Sequence, residues 1–317
     1  MGLRVVKLTV VLVLVCLFAC GEGEGGLELG FYRRSCPTAE MVVKEQMRTS
    51  MMNDPTTAPA ILRLAFHDCQ VDGCDASILL GNSNGLTTET MSKKNFGIHK
   101  LEVIDEIKSS LETICPETVS CADIIQLAAR EAVYLTGGPY MEVLTGRRDT
   151  ISTFTERADY QLPTADISVH RFIEIFHQKN ISLEDGVALM GSHSLGISHC
   201  RNFKGRLWPL PDPTLSPPFA RMLQSICMNP TAFAQNDATI FSFDNQYFID
   251  IQYGRGLLRI DSEIARDPRT QQYVFNFGQD TQRFFDRFSS GFLKLSKYNV
   301  LVGENGEIRR HCWFRNS

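Results

Sequence analysis

Residues 63–77, which read RLAFHDCQVDGCDAS, combine a proton-transfer pair with a cluster of oxygen atoms. The first part predicts a helix, in which Arg63 and His67 lie one turn apart on the same face. A fixed cation beside an imidazole could polarise a small substrate, take its proton and return it. A solvated helix face or a satisfied core histidine is the competing interpretation of such a pair.

Residues 68–77 favour a site for a hard cation such as calcium, because oxygen ligands occur at alternating positions. These oxygens belong to the side chains of Asp68, Asp75 and Ser77 and to the carbonyls of Val71 and Gly73. Asp-rich turns also act as caps, which is the alternative. An EF-hand is excluded, since the twelfth position counted from Asp68 is Leu79, where that motif needs glutamate.

The first 25 residues predict a secretory signal peptide that is removed, because Arg4 and Lys7 precede an apolar run over residues 8–19. That run is shorter than a bilayer requires, which leaves a membrane anchor as the alternative. We expect residues 26–317 to form one domain without membrane contact. The net charge of −4 and the lack of a basic block argue against a nucleic-acid partner.

Eight cysteines follow the signal segment, and an even number in a secreted chain predicts disulfides rather than reactive thiols. The spacing alone leaves their pairing open. A structural zinc site is not favoured, because no Cys-x-x-Cys or His-x-x-x-His pair is present. Asn180, in the sequence Asn180-Ile181-Ser182, is a predicted glycosylation acceptor.

Apolar residues recur at helical spacing along much of the chain, which predicts a mainly α protein. The last helix has an aromatic stripe from Phe284 to Phe292, which we interpret as core packing rather than a cofactor site. The predicted helices cover residues 38–52, 58–68, 101–111, 122–130, 168–179, 182–190, 219–226, 244–255 and 279–295.

A second histidine, His193, ends a predicted apolar helix and is followed by small residues. Small residues let a bulky planar group approach the backbone, so this imidazole could ligate haem iron. A satisfied histidine at a helix end is the competing interpretation.

The chain resembles the secretory plant peroxidases, which are the class III haem peroxidases, over nearly its whole mature length. The shared motifs are FY at 31–32, SCP at 35–37, residues 63–80, VSCAD at 119–123, GGP at 137–139, GRRD at 146–149, LP at 162–163, GSHSLG at 191–196, FDN at 243–245, and GLL at 256–258 with Asp261. The resemblance implies a two-lobed, mainly α fold that holds haem b between a distal and a proximal side, stapled by disulfides.

On the distal side, the resemblance implies that His67 is the acid and base and Arg63 its cationic helper, with Phe66 over the haem. Asn95 would fix the tautomer of His67 through the other ring nitrogen, and Glu89 would connect this network to the distal calcium. The implied reaction reduces one hydrogen peroxide to water while two phenolic donors each lose one electron.

On the proximal side, His193 resembles the axial iron ligand and Asp261 its carboxylate partner, while Pro163 resembles the edge where phenolic donors dock. The resemblance implies two calcium ions. The distal ion would be bound by Asp68, Val71, Gly73, Asp75 and Ser77, and the proximal ion by Ser194, Asn236, Asp237, Thr239, Ser242 and Asp244. At the proximal site the usual carboxylate position is Asn236, with Asp237 beside it.

Disulfides Cys36–Cys115, Cys69–Cys74, Cys121–Cys312 and Cys200–Cys227 are also implied, as is a buried ion pair of Asp123 and Arg147. The family pattern further implies a monomer exported to the extracellular space or cell wall. This chain departs from it around the donor channel: the segment 95–101 lacks the common Arg-Gly-Phe, and Gln235 stands where an aromatic often packs under the proximal imidazole.

Two other hypotheses remain from the sequence. A secreted wall-binding or structural protein could keep this fold without turnover, and it would lack a distal or proximal residue, none of which is missing here. A calcium-stapled binding module without haem would be colourless when purified.

Overall fold

Helices form most of the chain in the computed structural model, which describes residues 26–81, 87–229 and 231–316. The predicted signal peptide lies outside the described residues. In the described part of the chain, no helix is long and apolar enough to cross a membrane. The helices are α1 (Ala39–Asn53), α2 (Thr57–Gln70), α3 (Leu101–Ile114), α4 (Cys121–Leu135), α5 (Thr155–Gln161), α6 (Val169–His177), α7 (Leu183–Met190), α8 (Pro217–Ile226), α9 (Gln246–Gln252), α10 (Arg259–Ile264), α11 (Gln271–Gln279) and α12 (Thr281–Ser296).

The first packing group joins α2 and α1 to α4, with α3 against α1 and α4. The central helix α4 begins at Ser120, whose hydroxyl accepts the backbone N–H of Asp123 at 3.1 Å. Its residues from Cys121 to Val133 are all buried, and its alanines let the neighbouring helices approach closely. Helix α2, which carries Arg63 and His67, therefore packs closely against α4.

The second packing group contains α7, α9, α11 and α12, and its core is aromatic. Phe284 and Phe288 on α12 pack against Phe243, with ring centroids 5.4 and 4.7 Å apart, and Phe248 lies 5.0 Å from Phe284. Phe284, Phe288 and Phe292 are buried. The interpretation of the aromatic stripe as core packing is confirmed.

A smaller hydrophobic cluster surrounds α8 and a two-stranded antiparallel sheet of β1 (Ile197–His199) and β2 (Phe233–Gln235). The Cys200–Cys227 disulfide lies in this cluster and joins the end of β1 to the end of α8. The other disulfides are Cys36–Cys115, Cys69–Cys74 and Cys121–Cys312, so the four implied pairings are all present.

The predicted helices are found, with three differences. The segment 279–295 is broken at Asp280, whose carboxylate accepts the backbone N–H of Arg283 at 3.0 Å and starts α12 separately from α11. The predicted helix over 244–255 is shorter, since α9 covers only Gln246–Gln252. Helices α5, α10 and most of α11, which are six to nine residues long, were not predicted, since so short a segment shows a helical period only when its apolar residues are regularly spaced, as in α6.

A buried ion pair between Asp123 and Arg147 connects the two packing groups. Their side chains are fully buried, and the guanidinium Nη1 lies 2.7 Å from the carboxylate Oδ1. Tyr32 donates its hydroxyl to Asp123 at 2.7 Å, and Arg147 donates to the carbonyl of Ser296 at the end of α12. Each nitrogen of the guanidinium and each oxygen of the carboxylate thus has a hydrogen-bond partner, which is the condition for tolerating buried charge.

We expect Asp123→Asn to lower the free energy of unfolding by about 3–5 kcal/mol, because Arg147 then stays buried without its counter-charge. Urea unfolding followed by circular dichroism measures this loss. Glu117→Gln is the matched control, since it breaks an ion pair with Arg310 that is more than half exposed on both sides, and its loss should be at most about 1 kcal/mol. Equal losses in the two variants would contradict this role of the buried pair.

Candidate active site

The distal helix presents Arg63 and His67 one turn apart, as the sequence predicts. His67 is 8 % exposed, and burial together with the charge of Arg63 lowers the pKa of its imidazole to about 3. Arg63 donates to the carbonyl of Phe96 at 3.0 Å, and although burial lowers its pKa to about 10, it remains a cation at neutral pH. The site therefore holds a neutral imidazole beside a fixed positive charge.

Asn95 determines which nitrogen of His67 carries the proton. Its amide nitrogen donates to the carbonyl of Glu89 at 2.6 Å, which places its oxygen 2.6 Å from Nδ1 of His67. A carbonyl oxygen can only accept, so Nδ1 is protonated and Nε2 has the basic lone pair. Phe66 lies beside the imidazole, edge-on, with ring centroids 5.7 Å apart.

His193 lies in the short helical turn Gly191–Ser194 directly after α7, and its position depends on close packing. A Cβ on Gly191 would lie 2.4 Å from the ring of Phe284, so only glycine fits there. Gly196, which has φ +84°, brings the chain after His193 to the start of α2, because a Cβ there would lie 2.7 Å from Pro59. The proximal segment thus packs against the helix that carries His67.

Asp261 orients the ring of His193. Its Oδ1 accepts Nδ1–H of His193 at 3.0 Å and the hydroxyl of Tyr247 at 2.9 Å, while Oδ2 accepts the backbone N–H of Leu258 at 2.9 Å. The carboxylate is almost fully buried, whereas a third of the His193 side chain is exposed. Nε2 of His193 is therefore the atom that could bind a metal, and this His–carboxylate donor set fits haem iron.

Carboxylates are buried around the loop after α2. Among the residues that the structure describes, no cationic side chain lies within ion-pair distance of them. Both oxygens of Asp68, the hydroxyl of Ser77 and one oxygen of Glu89 are buried without a hydrogen-bond partner among these described residues. Burial, with repulsion between these groups, raises the pKa of Asp68 and of Asp75, the latter to about 6, and that of Glu89 to about 8. Such oxygens fit a calcium ion, which would supply the missing charge and partners.

Only two of the predicted distal ligands, Asp68 and Asp75, are carboxylates. Two carboxylates are too few for a metal site made of side chains alone. Accordingly, no group of three or more His, Cys, Asp or Glu has metal-site geometry among the residues described. The remaining predicted ligands are backbone carbonyls and a hydroxyl, which hard cations accept. Arg309 fixes this backbone, because its guanidinium donates to the carbonyls of Ala76 and Thr150.

On the proximal side, the structure brings Asp237 rather than Asn236 to Ser194. The hydroxyl of Ser194 lies 2.8 Å from Asp237 and 3.3 Å from Asp244, and the hydroxyl of Thr239 lies 3.0 Å from Asp244. The carbonyl of Ser242 joins the cluster at 3.2 Å from Ser194. Asn236 instead bonds Ser198 and the carbonyl of Leu195, so its expected place among the calcium ligands is not supported.

Comparison with known proteins agrees with this geometry. The family described as Peroxidase matches residues 43–280. Three similar proteins of Arabidopsis thaliana are Peroxidase 29, 43 % identical over 95 % of this chain and 94 % of that protein, Peroxidase 21, 40 % identical over 96 % and 95 %, and Peroxidase 28, 39 % identical over 98 % and 99 %.

The chain belongs to the peroxidase family. The resemblance drawn from the sequence motifs is thereby confirmed, and the mainly α, disulfide-stapled architecture agrees with it. Within this peroxidase, Pro163 follows the end of α5, whose last turn bonds Asp72 of the distal loop and Lys94, the residue before Asn95.

Three residues shape the site but were not predicted from the sequence: Tyr247, Arg309 and Lys94. Tyr247 bonds Asp261, which is 14 residues away in the sequence. Arg309 bonds the distal loop, which is more than 200 residues away. No local pattern connects such partners. Lys94 did have a signal, because it directly precedes Asn95, yet a single lysine in a polar segment is ordinarily an exposed residue.

We expect calcium to raise the thermal midpoint of this peroxidase, because binding the buried carboxylates stabilises only the folded state. EGTA should lower the midpoint and added calcium should restore it, as measured by circular dichroism. Asp68→Asn should remove most of this response, whereas Asp286→Asn, at an exposed position on α12, should keep it. An identical calcium response in Asp68→Asn would contradict the distal site.

Proposed function

We propose that this protein is a secreted haem peroxidase that reduces hydrogen peroxide to water and oxidises phenolic donors by one-electron steps. The arrangement that carries the proposal is the distal pair, in which the 2.6 Å contact to Asn95 makes Nε2 of a neutral His67 the base beside Arg63. Family membership supports the reaction class. The phenolic donor class is inferred from the resemblance.

His193 would hold haem b through Nε2, with Asp261 as the partner of Nδ1. Bound haem supplies a redox-active iron that receives the oxidising equivalents of peroxide and returns them one electron at a time. The hydrogen bond from His193 to Asp261 makes the imidazole a stronger electron donor. Tyr247 shares the same carboxylate oxygen and moderates that effect.

His67 would move one proton within bound peroxide. Its Nε2 would take the proton from one oxygen of peroxide and deliver it to the other oxygen, which would leave as water. Arg63 stabilises the negative charge that develops as the O–O bond breaks, and its position is fixed before the reaction by the carbonyl of Phe96. Two donor molecules would each lose one electron and one proton. With these, the remaining peroxide oxygen would become the second water.

Phenolic donors would dock near Pro163, at the edge implied by the family pattern. The two predicted calcium ions belong to this proposal, the distal one at Asp68, Asp75 and Ser77 with the carbonyls of Val71 and Gly73. The proximal ion would use Ser194, Asp237, Thr239, Ser242 and Asp244. These ions would hold the loops behind the two histidines.

Export and a monomeric state complete the proposal. The signal-like first 25 residues and the four disulfides support passage through an oxidising secretory route to the extracellular space or cell wall. Asn180 is exposed just after α6, as a glycosylated residue would be.

We expect His67→Leu to slow the reaction of the haem-loaded protein with hydrogen peroxide by at least about 10²-fold, because no other group supplies the proton transfer. Stopped-flow absorbance at the Soret band measures this rate. His177→Leu, at an exposed position on α6, is the control and should react normally. An unchanged rate in His67→Leu, with haem bound, would rule out the assigned role.

We expect Tyr247→Phe to make the Fe(III)/Fe(II) reduction potential more negative. Without the phenol hydroxyl, Asp261 accepts more strongly from His193, and the more electron-rich imidazole favours ferric iron. Spectroelectrochemical titration measures the shift. Tyr253→Phe, which alters a largely exposed tyrosine at the end of α9, should leave the potential unchanged; a positive shift in Tyr247→Phe would contradict this reasoning.

A further inference from the structure

The segment 155–163, which we call the strap, consists of α5 followed by Leu162 and Pro163. Its apolar attachment is small. Ala158 and Leu162 pack with Val71 in a three-residue cluster that is separate from the main core. Most other side chains of the strap are exposed, and Tyr160 is 81 % exposed. Polar contacts therefore decide where the strap lies.

One set of contacts ties the strap to the distal loop through Gln161. Its amide nitrogen donates to Oδ1 of Asp72 at 2.6 Å, and its amide oxygen accepts the backbone N–H of Asp72 at 3.0 Å. Gln70 donates to the backbone carbonyl of Gln161 at 3.0 Å. Arg157 forms an ion pair with Asp72. These bonds fix the strap on one side only.

The other set of contacts comes from residues 88–94: the hydroxyl of Thr155 donates to the carbonyl of Thr88 at 2.6 Å, and two further bonds come from Lys94. Its Nζ donates to the carbonyl of Asp159 at 2.5 Å and to that of Leu162 at 2.6 Å. A cation at the end of a helix satisfies the last carbonyls and interacts favourably with the helix dipole. Ser92 adds a bond of 2.5 Å to the carboxylate of Asp159. Lys94 thus holds the carbonyl immediately before Pro163.

Lys94 also directly precedes Asn95, and its own carbonyl lies 3.5 Å from the Nη2 of Arg63. One residue therefore joins the segment that orients His67 to the segment that ends at the donor edge. The backbone of Lys94 serves the distal side, whereas its ammonium serves only the strap. Removing the ammonium should leave the distal hydrogen bonds in place.

We propose that Lys94 is a positioning residue that fixes Leu162 and Pro163 relative to Asn95 and so sets which phenolic donors reach the haem edge. This inference rests on the proposed function. With the ammonium in place, the donor entrance has a defined width and favours small phenols. Without it, the end of the strap moves, and bulky phenols gain access relative to small ones.

The test compares Lys94→Met with Lys93→Met in the haem-loaded protein. Lys93 belongs to the same short turn, Lys93–Asn95, and is exposed, so its replacement is a matched control. In Lys94→Met, backbone amides of residues 155–162 should exchange hydrogen at least about tenfold faster, because two charge-assisted hydrogen bonds are lost and one alone accounts for about that factor. Mass spectrometry of the corresponding peptides measures this exchange without reference to activity.

Donor kinetics provide the second readout. For Lys94→Met, the ratio of kcat/KM for a small methoxyphenol to that for a dimeric phenol should fall several-fold, while the stopped-flow rate with peroxide stays as in the unaltered protein. Lys94→Arg, which keeps a cationic donor, should restore part of the ratio. Lys93→Met should change neither exchange nor ratio.

Unchanged exchange in Lys94→Met, or faster exchange with an unchanged donor ratio, would overturn the proposal. A lower peroxide rate with the donor ratio unchanged would also overturn it, because Lys94 would then act through Asn95. If the unaltered protein itself failed to react with peroxide, the proposed function would fall, and with it the donor role. A normal peroxide reaction combined with an unaffected donor ratio overturns only the role of Lys94.

Discussion

The burial of carboxylates directly behind the distal histidine is the constraint on which the site depends. Asp68 follows His67 in the chain and is fully buried, with Asp75 and Glu89 close enough to raise its pKa further. Uncompensated buried charge is costly, and the calcium ion proposed for this loop would stabilise it in its observed shape. Because the carbonyl of Glu89 also holds the amide of Asn95, the same cation would keep His67 in its working tautomer.

The proximal side is held by close packing in addition to its polar cluster. Gly191 lies against Phe284 at a distance that excludes any side chain, and Gly196 places the following strand against the first turn of α2. Asp261 then determines the ring orientation of His193 from the first turn of α10. An aromatic core lies behind His193, whereas a loop with buried carboxylates follows His67. Calcium removal should therefore affect the distal side more than the proximal side.

Local geometry alone predicts the parts of the site in which partners are close along the chain, whereas the pairs His67–Asn95 and His193–Asp261 followed only from the family resemblance. Arg63 and His67 are one helical turn apart, and the distal ligands alternate within ten residues, so local geometry alone brings them together. For the proximal site the sequence names both Asn236 and Asp237, but it does not show which of the two faces Ser194. Which of two adjacent side chains faces Ser194 depends on the hairpin of β1 and β2, where Ser198 and Leu195 bind the Asn236 amide.

The helical core of this peroxidase is held by extensive packing, whereas the strap is held by few contacts. This difference determines where a substitution can change donor preference. Helices α2 and α4 share a large buried surface, so a changed side chain there alters stability before it alters chemistry. The strap rests on a three-residue apolar cluster and a few hydrogen bonds, each contributing only about 1–3 kcal/mol. A substitution at Lys94 or Gln161 can therefore move Pro163 while His67, Asn95 and Arg63 keep their geometry. With Pro163 at the donor edge as proposed, donor preference is free to change where the peroxide chemistry is not.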